Sequence, residues 1–230
     1  MRRREVTGLG VRIVTAGAFC GAWPLAAVAA LTESDAAAGV RAALERGSSA
    51  AVSLLGRTDG FLGNPKVRIP LPGFLENASK LLRATGQGKR IDELVTAMNR
   101  AAETAVPQAA PLLRDAVRSM SVEDALRIVR GGDTAVTDFF AGKTREPLGL
   151  KFLPIVAQAT QRVELASKYN AVAGKVAGFG MVKREDANIE HYVTGKALDG
   201  LYLMIGEEER KIRRDPVGTG SALLKRVFGG

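Results

Sequence analysis

Cysteine, tryptophan and histidine are nearly missing from this chain, which has one of each in 230 residues. Cys20 and Trp23 fall within the first thirty residues, and His191 is the single histidine. Soft thiolate sites, multi-histidine zinc sites and Cys–His nucleophilic pairs are thereby excluded beyond residue 30. A disulfide within the chain is excluded too, even where the compartment would permit one. A Ser–His–Asp triad would have to run through His191, and a lone histidine reads as a surface or packed residue. Carboxylate-only chemistry, such as glycoside hydrolysis, remains open. A hard-metal site built on carboxylates remains open as well, although the sequence singles out no metal ligand and no cofactor is expected. Aromatics make up only 5% of the chain, so its basic residues lack the stacking partners that single-strand binders use, and nucleic acid is not an expected partner.

Acidic residues are scarce at the N-terminus, where Glu5 is the only one before Glu33. Arg2, Arg3, Arg4 and Arg12 form a positive segment, and an apolar run from Ile13 to Ala30 follows it. The run ends in Ala27-Val28-Ala29-Ala30, a small-residue pattern suited to signal peptidase. Gly17, Gly21 and Pro24 interrupt it, whereas a permanent anchor needs about 20 mostly apolar residues. Bulky Phe19 before Cys20 argues against lipoprotein processing. Residues 1–30 are therefore expected to be a cleaved secretion signal and residues 31–230 a single domain, exported to the periplasm or cell envelope. Losing the signal lowers the formal net charge from +9 to +6. The remaining excess of lysine and arginine favours anionic neighbours such as lipid headgroups or another envelope component.

Helical signals dominate the rest. Segments Ser34–Gly56, Phe74–Ala84 and Lys89–Val106 carry helical spacing. In the last of these, Ile91, Leu94, Val95, Met98, Ala102 and Ala105 share a stripe roughly 100° wide. Pro107 and Pro111 break and restart the chain. Ser121-Val122-Glu123-Asp124 resembles a capping box, and Gly131-Gly132 closes the helix it opens. Asp133 or Thr134 then caps a helix carrying Val136, Phe139 and Phe140. Leu148–Lys168, kinked at Pro154, and Tyr169–Phe179 read as two further helices. The last long helix runs from about Asp186 to Arg214, and Ala222–Phe228 forms an amphipathic tail. The expected fold is an all-α domain of about eight to ten helices, with one extended Pro/Gly loop near residues 57–72.

Within that loop, Asp59-Gly60-Phe61-Leu62-Gly63-Asn64-Pro65 is turn chemistry. Val67, Ile69 and Leu71 then alternate with other residues, while Pro70 and Pro72 forbid continuous pairing within a sheet. Lys66 and Arg68 project to one side and the apolar residues to the other. The strip formed by Lys66, Arg68 and Ile69 is the leading candidate for docking an anionic surface or a partner. Its structural alternative is a rigid connector burying Phe61, Leu62 and Ile69.

Two other polar groups stand out. Asp92, Thr96, Asn99 and Glu103 form a band read as a solvated face. Asp92 and Glu103 are separated by roughly 16 Å along a helix, beyond the spacing of either glycosidase class. On the last helix, plotted at about 100° per residue, Glu208 falls in the middle of an apolar arc. It has no partner at i+4, whereas Glu207 can pair with Lys211 and Glu209 with Arg213. Glu208 is therefore expected to be shielded and paired; its neighbours are either solvent at a fraying helix end or, if it is buried, a cation or donor from another helix.

Several segments carry a family resemblance: Gly60-Phe61-Leu62-Gly63-Asn64-Pro65, Ile69-Pro70-Leu71-Pro72, Met98-Asn99-Arg100-Ala101-Ala102-Glu103, Gly131-Gly132-Asp133, Ala197-Leu198-Asp199-Gly200-Leu201 and Leu223–Gly229. Together they resemble the uncharacterised exported bacterial family DUF4197. The resemblance implies an exported, mostly helical domain with no established activity and no functional residues to transfer. The function expected from the sequence is a non-enzymatic binding or envelope-associated module. The alternatives are a carboxylate-dependent envelope hydrolase and a structural or assembly factor acting through a basic surface. Two acids converging in one polar cleft would favour the hydrolase.

Overall fold

The computed structural model describes residues 33–132, 134–177 and 187–215. The expected signal at 1–30 and the amphipathic tail at 222–228 lie outside these residues. The chain forms α1 (Glu33–Leu55), α2 (Gly73–Ala84), α3 (Gly88–Ala105), a 3-10 turn (Val106–Gln108), α4 (Ala109–Arg118), α5 (Val122–Arg130), α6 (Ala135–Thr160), α7 (Glu164–Ala177) and α8 (Ile189–Arg214). Among the described residues there is no strand. The fold is the expected single all-α domain, with eight α-helices among the described residues. No helix among the described residues is long and apolar enough to cross a membrane.

Local chemistry sets most boundaries. The Ser121 hydroxyl accepts from the Asp124 N–H at 3.0 Å, and the Asp124 carboxylate accepts from the Ser121 N–H at 3.3 Å. This reciprocal capping box opens α5. Burial pushes the Asp124 carboxyl upward, but the Ser121 hydrogen bonds together with the charges of Lys143 and Arg127 outweigh it and hold the group below its ordinary value. Helix α2 ends where Gly86 adopts φ +80°. The Gln87 N–H then reaches back to the Leu82 carbonyl at 2.8 Å, a Schellman closure. Pro107 lies in the 3-10 turn, and Pro111 lies in the first turn of α4, where an N–H would have no partner inside the helix. The Asn188 side chain caps α8 by accepting from the His191 N–H at 3.0 Å.

Helix α6 departs from the expected division. The helix read at Val136–Phe140 and the one read from Leu148 are a single element that continues through Pro147 and Pro154, and it ends at Thr160, not Lys168. The following helix begins at Glu164 instead of Tyr169. Val136, Phe140, Thr144, Leu148, Phe152, Val156 and Thr160, every fourth residue, are all buried in α6. Each internal proline costs about 3 kcal/mol. Burying a Phe or Leu side chain contributes about 1.5–3 kcal/mol, and this continuous i+4 ridge is long enough to offset the prolines. It packs against α8 and α3, while α1 packs against α8, α4 and α5. The Thr144 hydroxyl donates to the Phe140 carbonyl at 2.7 Å, so the 2.9 Å contact between Thr144 and Tyr202 has the Tyr202 hydroxyl as donor.

Candidate functional site

The segment joining α1 to α2 is fixed at its α1 end by backbone constraints. Asp59 adopts φ 64°, a left-handed conformation that an aspartate tolerates better than most side chains. A Cβ on Gly60 would lie 2.4 Å from the Leu55 carbonyl oxygen, so the chain can turn off α1 this tightly only at glycine. Phe61 then buries fully against α8 at Gly200, where a Cβ would approach its ring to 2.9 Å. Val67, Ile69 and Leu71 are buried, while Lys66, Arg68 and Pro70 are exposed. The period-two alternation is therefore real, although no strand accompanies it.

Its partner is a side chain. Asn99 on α3, fully buried, accepts the Ile69 N–H at 2.8 Å and donates to the Ile69 carbonyl at 2.9 Å, as a neighbouring strand would. Its amide also donates to the Val95 carbonyl at 2.8 Å. One turn further along α3, Glu103 accepts the N–H groups of Phe61 and Leu62 through one oxygen, at 3.0 Å each. Arg100 holds the other oxygen at 2.6 Å and reaches Asp59 at 2.8 Å. Hydrogen bonding to Glu103 first, then to Asp59, raises the Arg100 pKa above its ordinary value. From α8, the Tyr192 hydroxyl donates to the Pro70 carbonyl at 3.1 Å. The reading of Asp92, Thr96, Asn99 and Glu103 as one solvated face is corrected here. Asp92 and Thr96 are exposed, but Asn99 and Glu103 are 0% and 4% exposed beneath the loop. The usable signal was their i,i+4 spacing beside the apolar stripe, together with a proline-limited segment in need of a partner.

This anchoring creates a groove of about 240 Å³ between the loop and α8. Lys66, Arg68, Pro70, Lys196, Asp199 and Leu203 line it. Lys66 pairs with Glu207 at 2.8 Å, and Asp199 is held by Arg145 at 2.6 Å. Arg68 makes only a long contact with the Leu62 carbonyl, at 3.4 Å, and Lys196 lies over the Tyr192 ring at 5.8 Å. Neither Arg68 nor Lys196 forms an ion pair among the described residues. Leu203, 39% exposed, adds an apolar edge.

The structure brings three of the four site residues expected from the sequence to this place. Lys66 and Arg68 stand on the groove's rim, and Ile69 lies beneath it, pinned by Asn99. Glu208 is elsewhere, where α1 crosses α8 so closely that a Cβ on Gly47 would lie 3.5 Å from the Glu208 Cβ. It is shielded to 20% exposure and paired, but Lys211 of its own helix, at i+3, supplies the cation in place of another helix. Glu207, expected to take Lys211, takes Lys66. The buried acid of this trio is Glu209, at 4%. Lys196 and Asp199 escaped the sequence reading because their relevance depends on where the loop docks. His191 is exposed, and Asp133 lies outside the described residues. Among the described residues no cluster of three or more His, Asp or Glu is placed to hold a metal ion.

The site is therefore a helical scaffold whose loop, α3 segment Met98–Glu103 and α8 segment Ala197–Leu201 interlock around one basic groove. The model of a protein family of unknown function, DUF4197, matches residues 30–229, and the chain belongs to that family. No curated protein and no solved structure matches it.

Proposed function

We propose that this protein is an exported, non-enzymatic binding module of the cell envelope that takes an anionic phospholipid headgroup in the groove between the loop and α8. The observation that carries the reading is the pair Arg68 and Lys196, cations that form no ion pair among the described residues, beside the exposed Leu203. Two cations flanking a concavity with an apolar edge match a phosphate group attached to an acyl interface. The envelope location rests on the leader read in the sequence at residues 1–30. The acids on hand favour binding over hydrolysis. Glu103 is engaged by two backbone N–H groups and Arg100, and the one acid lining the groove, Asp199, is held by Arg145.

Co-sedimentation with phosphatidylglycerol and phosphatidylcholine vesicles tests the reading. Binding to the anionic vesicles alone is expected, weakening as salt rises. Lys66→Glu with Arg68→Glu, and separately Lys196→Glu, should each reduce it severalfold. Equal binding to both lipids, or binding unchanged in these variants, would remove the groove from the account. Native mass spectrometry of protein purified from its own envelope should show a recurrent anionic lipid.

A further inference from the structure

On a different part of the domain, α1 and α4 enclose a concavity of about 420 Å³, within the range of small-molecule sites. Val52 and Leu113 form its apolar floor. Arg114 and Arg118 line it from α4, and their i,i+4 spacing stacks two like charges on one helix face. That arrangement is mildly unfavourable unless an anion sits between them. No acid lies within ion-pair distance of either arginine among the described residues. Across from them, Ser49 and Ser53 present hydroxyls at the same i,i+4 interval on α1. Neither hydroxyl makes a hydrogen bond among the described residues. The Ser48 hydroxyl already donates to the Glu45 carbonyl at 3.3 Å. The Glu45 side chain adds one acceptor to the same wall.

We infer that this pocket is a second binding site, for a small phosphomonoester with a hydroxylated carbon skeleton. Two guanidinium forks and two hydroxyl donors suit the three oxygens of a terminal phosphate. The Glu45 carboxylate accepts from a ligand hydroxyl and repels polyanions, while Val52 and Leu113 take the carbon chain. The site shares no residue with the basic groove, so it stands whether or not that groove binds lipid.

Isothermal titration with glycerol 3-phosphate, inorganic phosphate and dihexanoyl phosphatidic acid tests the assignment. Glycerol 3-phosphate should bind saturably and more tightly than inorganic phosphate, because the latter uses neither Glu45 nor the floor. Arg114→Ala and Arg118→Ala should each weaken it at least about tenfold, the scale of a lost charge-assisted hydrogen bond. Arg162→Ala, which removes an exposed charge elsewhere, should leave the affinity unchanged. Binding of the acylated probe that Arg114→Ala and Arg118→Ala also weaken identifies a lipid headgroup as the source, and its failure to bind in a way these variants affect identifies a free ester. Either result supports the site. Should Arg114→Ala fail to fold, Ser53→Ala and Arg118→Gln carry the same expectation. No saturable binding of glycerol 3-phosphate at millimolar concentration, or equal binding by folded arginine variants, would overturn it.

Discussion

Replacing Asn99 with alanine isolates the interaction that holds the loop to the helices. Asn99 makes three hydrogen bonds from a fully buried side chain, and two of them serve the N–H and carbonyl of Ile69. The third acceptor, the Val95 carbonyl, keeps its own helical partner at Asn99 N–H, so it is not orphaned. In Asn99→Ala the two Ile69 groups lose their partner, each at a cost of about 1–3 kcal/mol when water cannot replace it. The flanking Arg68 and Pro70 are exposed, so partial hydration lowers the sum, and a loss of about 2–4 kcal/mol is expected. Urea denaturation followed by far-UV circular dichroism measures it. Thr96→Ala, one turn earlier on α3 and exposed, should cost less than about 0.5 kcal/mol. Amide hydrogen exchange adds a local readout, because Ile69 should exchange much faster in Asn99→Ala while the α6 amides keep their order of protection. A loss below about 1 kcal/mol with unchanged protection at Ile69 would refute the reasoning. The loop would then be held by Phe61, Val67 and Leu71 alone.

Three further outcomes follow from the same geometry. Gly60→Ala places a Cβ 2.4 Å from a backbone carbonyl oxygen, whereas Gly132→Ala meets nothing within 4 Å; urea midpoints should show the former destabilised by about 1–3 kcal/mol or more and the latter nearly unchanged. Burial raises the Tyr202 pKa, so its contribution to stability is complete below about pH 10 and is lost as pH rises through the higher folded value. Tyr202→Phe should cost about 0.5–1.5 kcal/mol at neutral pH and show a shallower alkaline loss than the parent; identical alkaline slopes would contradict the assignment. Glu208→Ala breaks only a pair with Lys211, whose side chain is 65% exposed, so a loss under about 1 kcal/mol is expected in the same denaturation assay.

What the sequence determined by itself is whatever a few neighbouring residues decide. Ser121 and Asp124 specify the start of α5 because both partners of the capping box lie within one turn. Pro70 and Pro72 rule out a central strand because the missing N–H groups are their own. The alternation of Val67, Ile69 and Leu71 was legible for the same reason, and it placed Lys66 and Arg68 on the open side. The tertiary structure decided what those elements meet. Asn99 and Ile69 are 30 residues apart, Phe61 and Glu103 42, and Lys66 and Glu207 141. No local pattern encodes such pairs, and the polar band of α3 looks solvated until the loop covers half of it. Packing likewise overrode the prolines of α6, because its buried i+4 ridge gains more against α8 and α3 than two broken helical hydrogen bonds cost. Both concave sites arise at this level, since each is lined by helices and loops that only folding brings together.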